Sequence, residues 1–487
     1  MSESVTQITG GVSLIQVFRI VSRVSLLLMV ATTILFNCTS AFAQDEPKNL
    51  WTKDSGTDWP FFLGAKQNGH SDETGILKDW SGGKLKIAWS QDLGEGYGSG
   101  AVAAGRYFQF DFDKASKKAR LRCFNAEKGT SLWEFKYDSN YVDLYGYDKG
   151  PRSSPIVDGD RVYIFGVEGM LHCLNVESGD EVWKLDTAER FGVIQNFFGV
   201  ASSPCVVDDL LIVMVGGSPE ESKAVPKGKL NLVKPNGSAI VALDKLTGKV
   251  KYKMGNDLAS YSSLVSTRLK VGDVEQDVVY AFARSGLLGF TAKDGTEFLN
   301  FPYRARRLET VNASSPVIDG NRVLISECYE LGGTLLDLSK IDPETKTPEI
   351  VWEDGKRRGR SLETHWNTPV LVDGHLYASS GQHSGTAQLR CVALETGEVK
   401  WSQPRLTRSS LTYVDGHLVV ICENGRLQLI EANPEKYSVV TQYEPGDGEN
   451  AIRFRPPCWA APVVSHGLMW VRGKNKLVCF ELMKAKE

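Results

Sequence analysis

The sequence predicts an all-β fold: one eight-bladed β-propeller of four-stranded antiparallel blades, closed by a strand from near the N-terminus. Three observations carry this reading. A phrase ending in a glycine turn and a tryptophan recurs along the chain. A second phrase, Ser-Ser-Pro or a near equivalent, precedes each copy. Together the two phrases span roughly 50 residues, the size of one blade.

The first phrase is seen at Leu121–Trp133, Leu171–Trp183 and Leu389–Trp401, and again at Ala239–Tyr252 with Tyr in place of Trp. Each copy reads as a β-hairpin. The run before the turn is rich in Leu, Val, Phe and Cys, which suits a strand. Gly129, Gly179, Gly248 and Gly397 sit where the turn calls for a positive φ. Six residues before each glycine stands Cys123, Cys173, Ala242 or Cys391, a small side chain that implies tight packing. Trp89, Trp133, Trp183, Trp352 and Trp401 are therefore expected to be structural wedges rather than ligand platforms.

The second phrase appears at Ser153-Ser-Pro155, Ser202-Ser-Pro204, Ser314-Ser-Pro316, Asn367-Thr-Pro369 and Ala460-Ala-Pro462. Asp-Gly pairs at 158–159, 319–320 and 373–374 follow it and signal hairpin turns. Inner strands are expected to start near Ser99, Ser153, Ser202, Ser262, Ser314, Thr368, Ser409 and Ala461, which sets eight blades. The last repeat, Lys476–Glu481, has no outer partner after it. Leu85-Lys-Ile-Ala-Trp89 should complete that blade, and ring closure removes open sheet edges. Residues 216–238, with three prolines, read as an insertion. Residues 286–301 and 425–443 lack the tryptophan, and 334–352 carry a longer turn.

The repeat spans most of the 487 residues, so residues 85–487 form one domain despite the length. A net charge of −3 points to neither nucleic acid nor acidic lipid as partner. Residues 1–43 read as an export signal: Arg19 and Arg23 flank an apolar run, Val24 to Phe36, and Ala41-Phe42-Ala43 offers a cleavage pattern. The mature chain then begins at Gln44 and is periplasmic or secreted. An uncleaved anchor helix is the alternative. A lipidated Cys38 is disfavoured by Asn37 before it. Residues 44–84 are irregular and expected to pack across the propeller rim, with His70 structural. Eight cysteines remain after cleavage. Several occupy the same place in different repeats, so they are expected unpaired, and no C-x-x-C spacing suggests zinc.

The phrase Ala/Leu-x-Asp-x-x-Thr-Gly-x-x-x-Trp, best seen at 239–252 and 389–401, resembles the tryptophan-docking repeat of pyrroloquinoline-quinone (PQQ)-type propellers. That family includes quinoprotein alcohol dehydrogenases and the BamB-like subunit of outer-membrane protein assembly. The likeness covers roughly residues 85–482. Trp59-x-x-Phe62, His365-Trp-Asn-Thr-Pro369, Trp459-Ala-Ala-Pro462 and Val471–Cys479 resemble exported quinoprotein-like propellers of the planctomycete type. The resemblance implies two functions. One is PQQ-dependent alcohol oxidation, for which the enzymes carry adjacent cysteines and a calcium held by Glu and Asn. This chain has no Cys-Cys, and Asn312, Glu363 and Asn367 are scattered. The other is a non-catalytic binding or scaffold role for a protein or polysaccharide partner, which is the expectation taken here, with no cofactor and no metal. Neither a G-x-S-x-G elbow nor H-E-x-x-H is present. His375, His417 and His466 read as exposed turn residues, and His172 as packed.

Residues at the inner-strand starts should surround one end of the central channel. They include Tyr97, Arg152, Tyr261, Asn312, His365, Trp366, Asn367, Arg408 and Trp459. Aromatic and Arg side chains are enriched at binding hot spots. The basic segment Lys356–Arg360 leads into His365, and Arg304, Arg306 and Arg307 lead into the preceding blade. Arg152, Arg360, His365, Trp366, Asn367, Arg408 and Trp459 are thus the candidate binding residues. Several cations near one entrance would attract an acidic or aromatic-bearing segment.

Overall fold

The computed structural model describes residues 46–483 apart from 54, 227, 272–273, 356–358 and 446–451. The export-signal reading lies in residues 1–45, outside the described residues, as do Lys356 to Arg358 of the basic segment.

Eight antiparallel four-stranded blades are present. Blade 1 is Ala101–Ala103, Arg106–Asp113, Lys118–Asn125 and Ser131–Asp138. Blades 2 to 7 span 156–186, 205–254, 265–302, 317–353, 370–403 and 409–442. Blade 8 combines Val463–Ser465, Leu468–Arg472 and Lys476–Glu481 with Ile87–Asp92, which pairs antiparallel with Lys476–Glu481 as the outermost strand. The expected closure is thus observed. Among the described residues the one α-helix is Thr187–Phe191, and none is long and apolar enough to cross a membrane.

The recurring glycine and tryptophan belong to one joint between neighbouring blades. Trp133, on the outer strand of blade 1, donates from Nε1 to Val176 O of blade 2 at 2.9 Å. Its ring lies 2.5 Å from where a Cβ on Gly179 would stand. Trp89 sits the same way on Gly129, Trp183 on Gly248 and Trp352 on Gly397, each bonded to the carbonyl three residues before that glycine. Tyr252 makes the same joint to Gly295, bonding Ala292 O. Trp401 keeps the hydrogen bond, to Asn433 O, where blade 7 has no glycine. These side chains are wedges, as read from the repeat.

The serine phrase makes a second joint, around the channel. The Ser154 N–H donates to Ser203 Oγ at 2.9 Å, Ser203 to Ser263 Oγ at 3.0 Å, Ser263 to Ser315 Oγ at 3.1 Å and Ser315 to Thr368 Oγ1 at 3.1 Å. In blades 3 to 6 a hydroxyl therefore satisfies a backbone donor of the blade before, and such buried donors are costly when unpaired. This explains why Ser or Thr recurs there. All eight described cysteines are buried and unpaired.

One expectation is overturned. The ends of the N-terminal segment reach the outer parts of blades, Thr52 on Glu127 and Trp80 on Thr441, but residues 59–71 do not lie on the rim. They cross the far end of the channel, touching one inner strand after another. Trp59 bridges Val102, and Pro60 O accepts from the Val157 N–H. Gln67 Oε1 accepts from Ser266, and His70 bonds Leu371 O. His70–Ser71 then adds a parallel fifth strand to blade 7. The inner strands' free edges attract it, since their backbone groups would otherwise lack partners. His466 is also corrected. It is buried, not exposed, and stacks on Trp51 with ring centroids 3.9 Å apart. This second contact comes from the same segment.

Candidate functional site

The channel encloses a cavity of about 190 Å³ at the end where the inner strands begin. Phe62 and Leu63 of the N-terminal segment close its floor. The walls carry small residues of the serine phrase, such as Ser203, Ser263 and Thr368. The mouth is aromatic. Trp459 lies 4.4 Å from Tyr97 and 4.7 Å from Trp366, centroid to centroid, and Trp366 lies 4.9 Å from His365. Tyr147 and Phe198 extend the aromatic surface outward. Val142, Tyr145 and Tyr147 beside it are about half exposed, at 58%, 51% and 48%.

Of the candidates, Arg152, His365, Trp366, Asn367, Arg408 and Trp459 line this cavity. Arg360 does not; it pairs with Glu363 at 2.9 Å, and Arg304, Arg306 and Arg307 also lie outside the lining. Asn367 is buried, with Nδ2 donating to Ser379 O at 2.9 Å, so it holds its own hairpin. Asn312 is buried too, but its Nδ2 donates at 2.8 Å to Ala283 O at the end of a strand of the preceding blade, so it ties two blades together.

The two arginines are not free cations. Arg408 donates from Nε to Glu423 Oε2 at 3.0 Å and from Nη1 to Gln382 O and His365 Nδ1, both at 3.2 Å. Its guanidinium stacks 4.3 Å from the Trp366 ring centre. Glu423 also accepts from Trp459 Nε1 at 2.8 Å. Burial opposes ionisation of Glu423, but bonds from Arg408, Ser384 and Trp459 outweigh it and hold its pKa below the ordinary value. Arg152 donates from Nη2 to the buried Asp143 at 2.8 Å and stacks on Tyr97 and Tyr141. The expected attraction for an anionic ligand is therefore offset within the site, since each Arg meets a carboxylate.

His365 is held neutral. Desolvation lowers its pKa to about 3, and the Arg408 charge adds in the same direction. Arg408 can only donate, so Nδ1 accepts and the proton sits on Nε2. That N–H faces the Tyr329 hydroxyl at 3.2 Å. Trp366 Nε1, by contrast, is buried and lacks a hydrogen-bond partner.

Sequence reading missed Asp143, Tyr147, Phe198, Tyr329 and Glu423. Glu423 had a signal: Ser409 pairs with Cys422 across a hairpin, which places Arg408 opposite Glu423.

The residues present do not fit a calcium-quinone centre. Glu423 and Asn367 are both committed to protein partners. Among the described residues no group of three or more His, Cys, Asp or Glu converges as a metal site requires. No two cysteines are adjacent, and the cavity is smaller than the roughly 300–1,000 Å³ of ordinary small-molecule pockets.

Comparison with known proteins agrees with this architecture. The sequence model of the family described as outer membrane protein assembly factor BamB matches residues 41–218 and 117–403. The outer membrane protein assembly factor BamB of Shewanella oneidensis is 22% identical over 364 residues, covering 71% of this chain and 78% of that protein. Among solved structures, a europium-containing methanol dehydrogenase superposes with a TM-score of 0.59 at 10% identity, covering 88% of this chain and 98% of that one. BamB from Moraxella catarrhalis gives a TM-score of 0.39 at 12% identity, over 88% and 99%. With tryptophan joints between its blades and a family match across most of its length, the chain belongs to the outer membrane protein assembly factor BamB family of PQQ-like propellers.

Proposed function

We propose that this protein is an exported, non-catalytic binding module. In this reading its channel mouth captures an apolar or aromatic side chain of a partner polypeptide. One observation carries the reading. At the mouth the charged groups satisfy one another, and what stays unpaired is aromatic surface over a floored apolar cavity. Rigid aromatic residues give contact area at little entropic cost. Kinship with an assembly factor favours a protein over a polysaccharide partner. Family membership likewise supports a periplasmic or outer-membrane-associated site of action. No resident quinone or calcium is part of this proposal.

The test places a photo-crosslinking amino acid at Tyr147 in the native host. A discrete protein adduct is expected, lost when Trp366→Ala is added, while near-UV circular dichroism still reports a folded protein. An adduct unchanged by Trp366→Ala, or formed only with polysaccharide, refutes the reading. Separately, adding PQQ and calcium to the purified chain should give no stoichiometric quinone absorbance and no dye reduction with alcohols. Turnover would restore the dehydrogenase alternative.

A further inference from the structure

Two arginines beside the mouth are not neutralised as Arg152 and Arg408 are. Arg284 sits in the turn between two strands of blade 4, Val274–Phe282 and Gly286–Thr291, and Arg304 follows that blade's outer strand, Glu297–Pro302. The Tyr303 N–H donates to Ser285 O at 2.9 Å, so the two stretches of backbone are neighbours. Both guanidinium groups turn onto one loop, residues 307–310. Arg284 donates from Nη2 to Leu308 O at 3.1 Å, and Arg304 Nε lies 3.5 Å from Thr310 Oγ1. The pair stands at the end of the aromatic surface. Arg284 Cζ is 5.6 Å from the Phe197 ring centre, and Phe197 is 6.4 Å from Phe198, which lines the mouth cavity.

Among the described residues neither guanidinium bonds a carboxylate. Glu330 is taken by Arg307, at 3.4 Å. Among the described residues Asp257 is the one carboxylate whose charge reaches both arginines. Its oxygens accept instead from the Leu258 and Ser285 N–H groups, each at 2.7 Å, and from Ser285 Oγ at 2.8 Å. Two positive charges therefore stand against one negative. Arg284 is buried; desolvation lowers its pKa to about 10, and the Arg304 charge adds in the same direction. An anion beside them would relieve that repulsion. Arg304 is the open member of the pair. It is half-buried, and its two Nη groups are not enclosed and meet no protein acceptor.

We infer that Arg304, reinforced by the buried charge of Arg284, binds a carboxylate of the partner segment, two to four residues from the side chain that enters the mouth. The spacing rests on the mouth reading: an extended chain advances about 3.3–3.6 Å per residue, and the path from Phe198 past Phe197 spans about two to four such steps. The charge balance selects a monoanion. One carboxylate offsets the single surplus positive charge, whereas a phosphate dianion would bring a new surplus against Asp257 and the Phe197 ring. The two Nη groups of an arginine also match the two oxygens of a carboxylate.

Phenylglyoxal labelling of the purified full-length chain tests this, with peptide mass spectrometry reading the rate at each arginine. The probes are acetyl-Phe-Ser-Ser-Glu amide, acetyl-Phe-Ser-Ser-Gly with a free chain end, the neutral acetyl-Phe-Ser-Ser-Gln amide, and inorganic phosphate. Saturable protection of Arg304 by a carboxylate peptide is expected, and whichever of the two protects identifies a side chain or a chain end as the source. The neutral peptide should need at least about tenfold more, and the exposed Arg306 should stay unprotected. Arg284→Met should weaken the protection about threefold or more, while Arg284→Lys, which keeps the charge, retains it. No protection by either carboxylate peptide, equal protection by the neutral one or at Arg306, or tighter protection by phosphate would each overturn the assignment. The Tyr147 adduct does not enter this measurement. An unprotected Arg304 together with a Trp366-dependent adduct removes this site and keeps the mouth; protection without an adduct keeps this site and removes the mouth.

Discussion

Changing Gly179 to Ala separates the two reasons a glycine stands at the blade joint. Gly179 has φ of +77°, where an Ala costs about 1–2 kcal/mol. The new Cβ would also stand 2.5 Å from the Trp133 ring. The indole must then shift, at an overpacking cost of about 1–3 kcal/mol. Its bond to Val176 O, worth about 1 kcal/mol, is strained with it. The total is about 3–6 kcal/mol. Gly374 supplies the control: its φ is +73°, and nothing lies within 4 Å of the added Cβ. Gly374→Ala should therefore cost only the backbone part. Urea unfolding followed by tryptophan fluorescence and far-UV circular dichroism measures both. The expected gap between the variants is about 2–4 kcal/mol. In a Trp133→Ala background, Gly179→Ala should fall to the control value. Equal costs for the two glycines, or no coupling to Trp133, would refute the joint as an energetic unit.

Ser203→Ala should destabilise by about 1–3 kcal/mol, because the Ser154 N–H loses its acceptor in a dry site; a loss below about 0.5 kcal/mol in urea would show the hydroxyl ring to be idle. Deleting residues 87–92 should shift size-exclusion elution to larger oligomers or aggregates than the intact chain forms, since Lys476–Glu481 becomes a bare edge; an unchanged elution profile would contradict the closure argument. His365 should make stability pH-dependent. Its folded pKa is about 3, below the ordinary 6.5, so its contribution is complete above 6.5 and is lost as pH falls towards 3. His365→Asn should flatten part of the fall in urea midpoint between those values; His70, His172 and His466 are shifted in the same direction, so the wild-type minus variant difference is the quantity to read, and a zero difference would refute the assignment.

The fold was legible because its repeat encodes contacts between neighbours. Gly179 and Trp133 recur at fixed spacing since each blade must present a turn to the previous blade's wedge. The path of the N-terminal segment was not legible. His70 meets Tyr413 through backbone pairing, which leaves no side-chain pattern. At the site, the aromatic residues before each inner strand could be placed by counting repeats. The neutralisation of Arg152 could not, because Asp143 lies outside the repeated phrases, and that of Arg408 showed only in the hairpin register that sets Glu423 opposite it. A list of cations by sequence position therefore overstated the field at the mouth.

The clasp of blade 8 also fixes an order of events during biosynthesis. Asp92 is among the first structured residues to be made, and its partner Lys476 among the last. At about 5–20 residues per second, the early strand waits on the order of 20–80 s for its sheet. Throughout that interval Ile87–Asp92 lacks its ladder partner, so a chain released before Lys476–Glu481 is made would carry an unpaired strand edge.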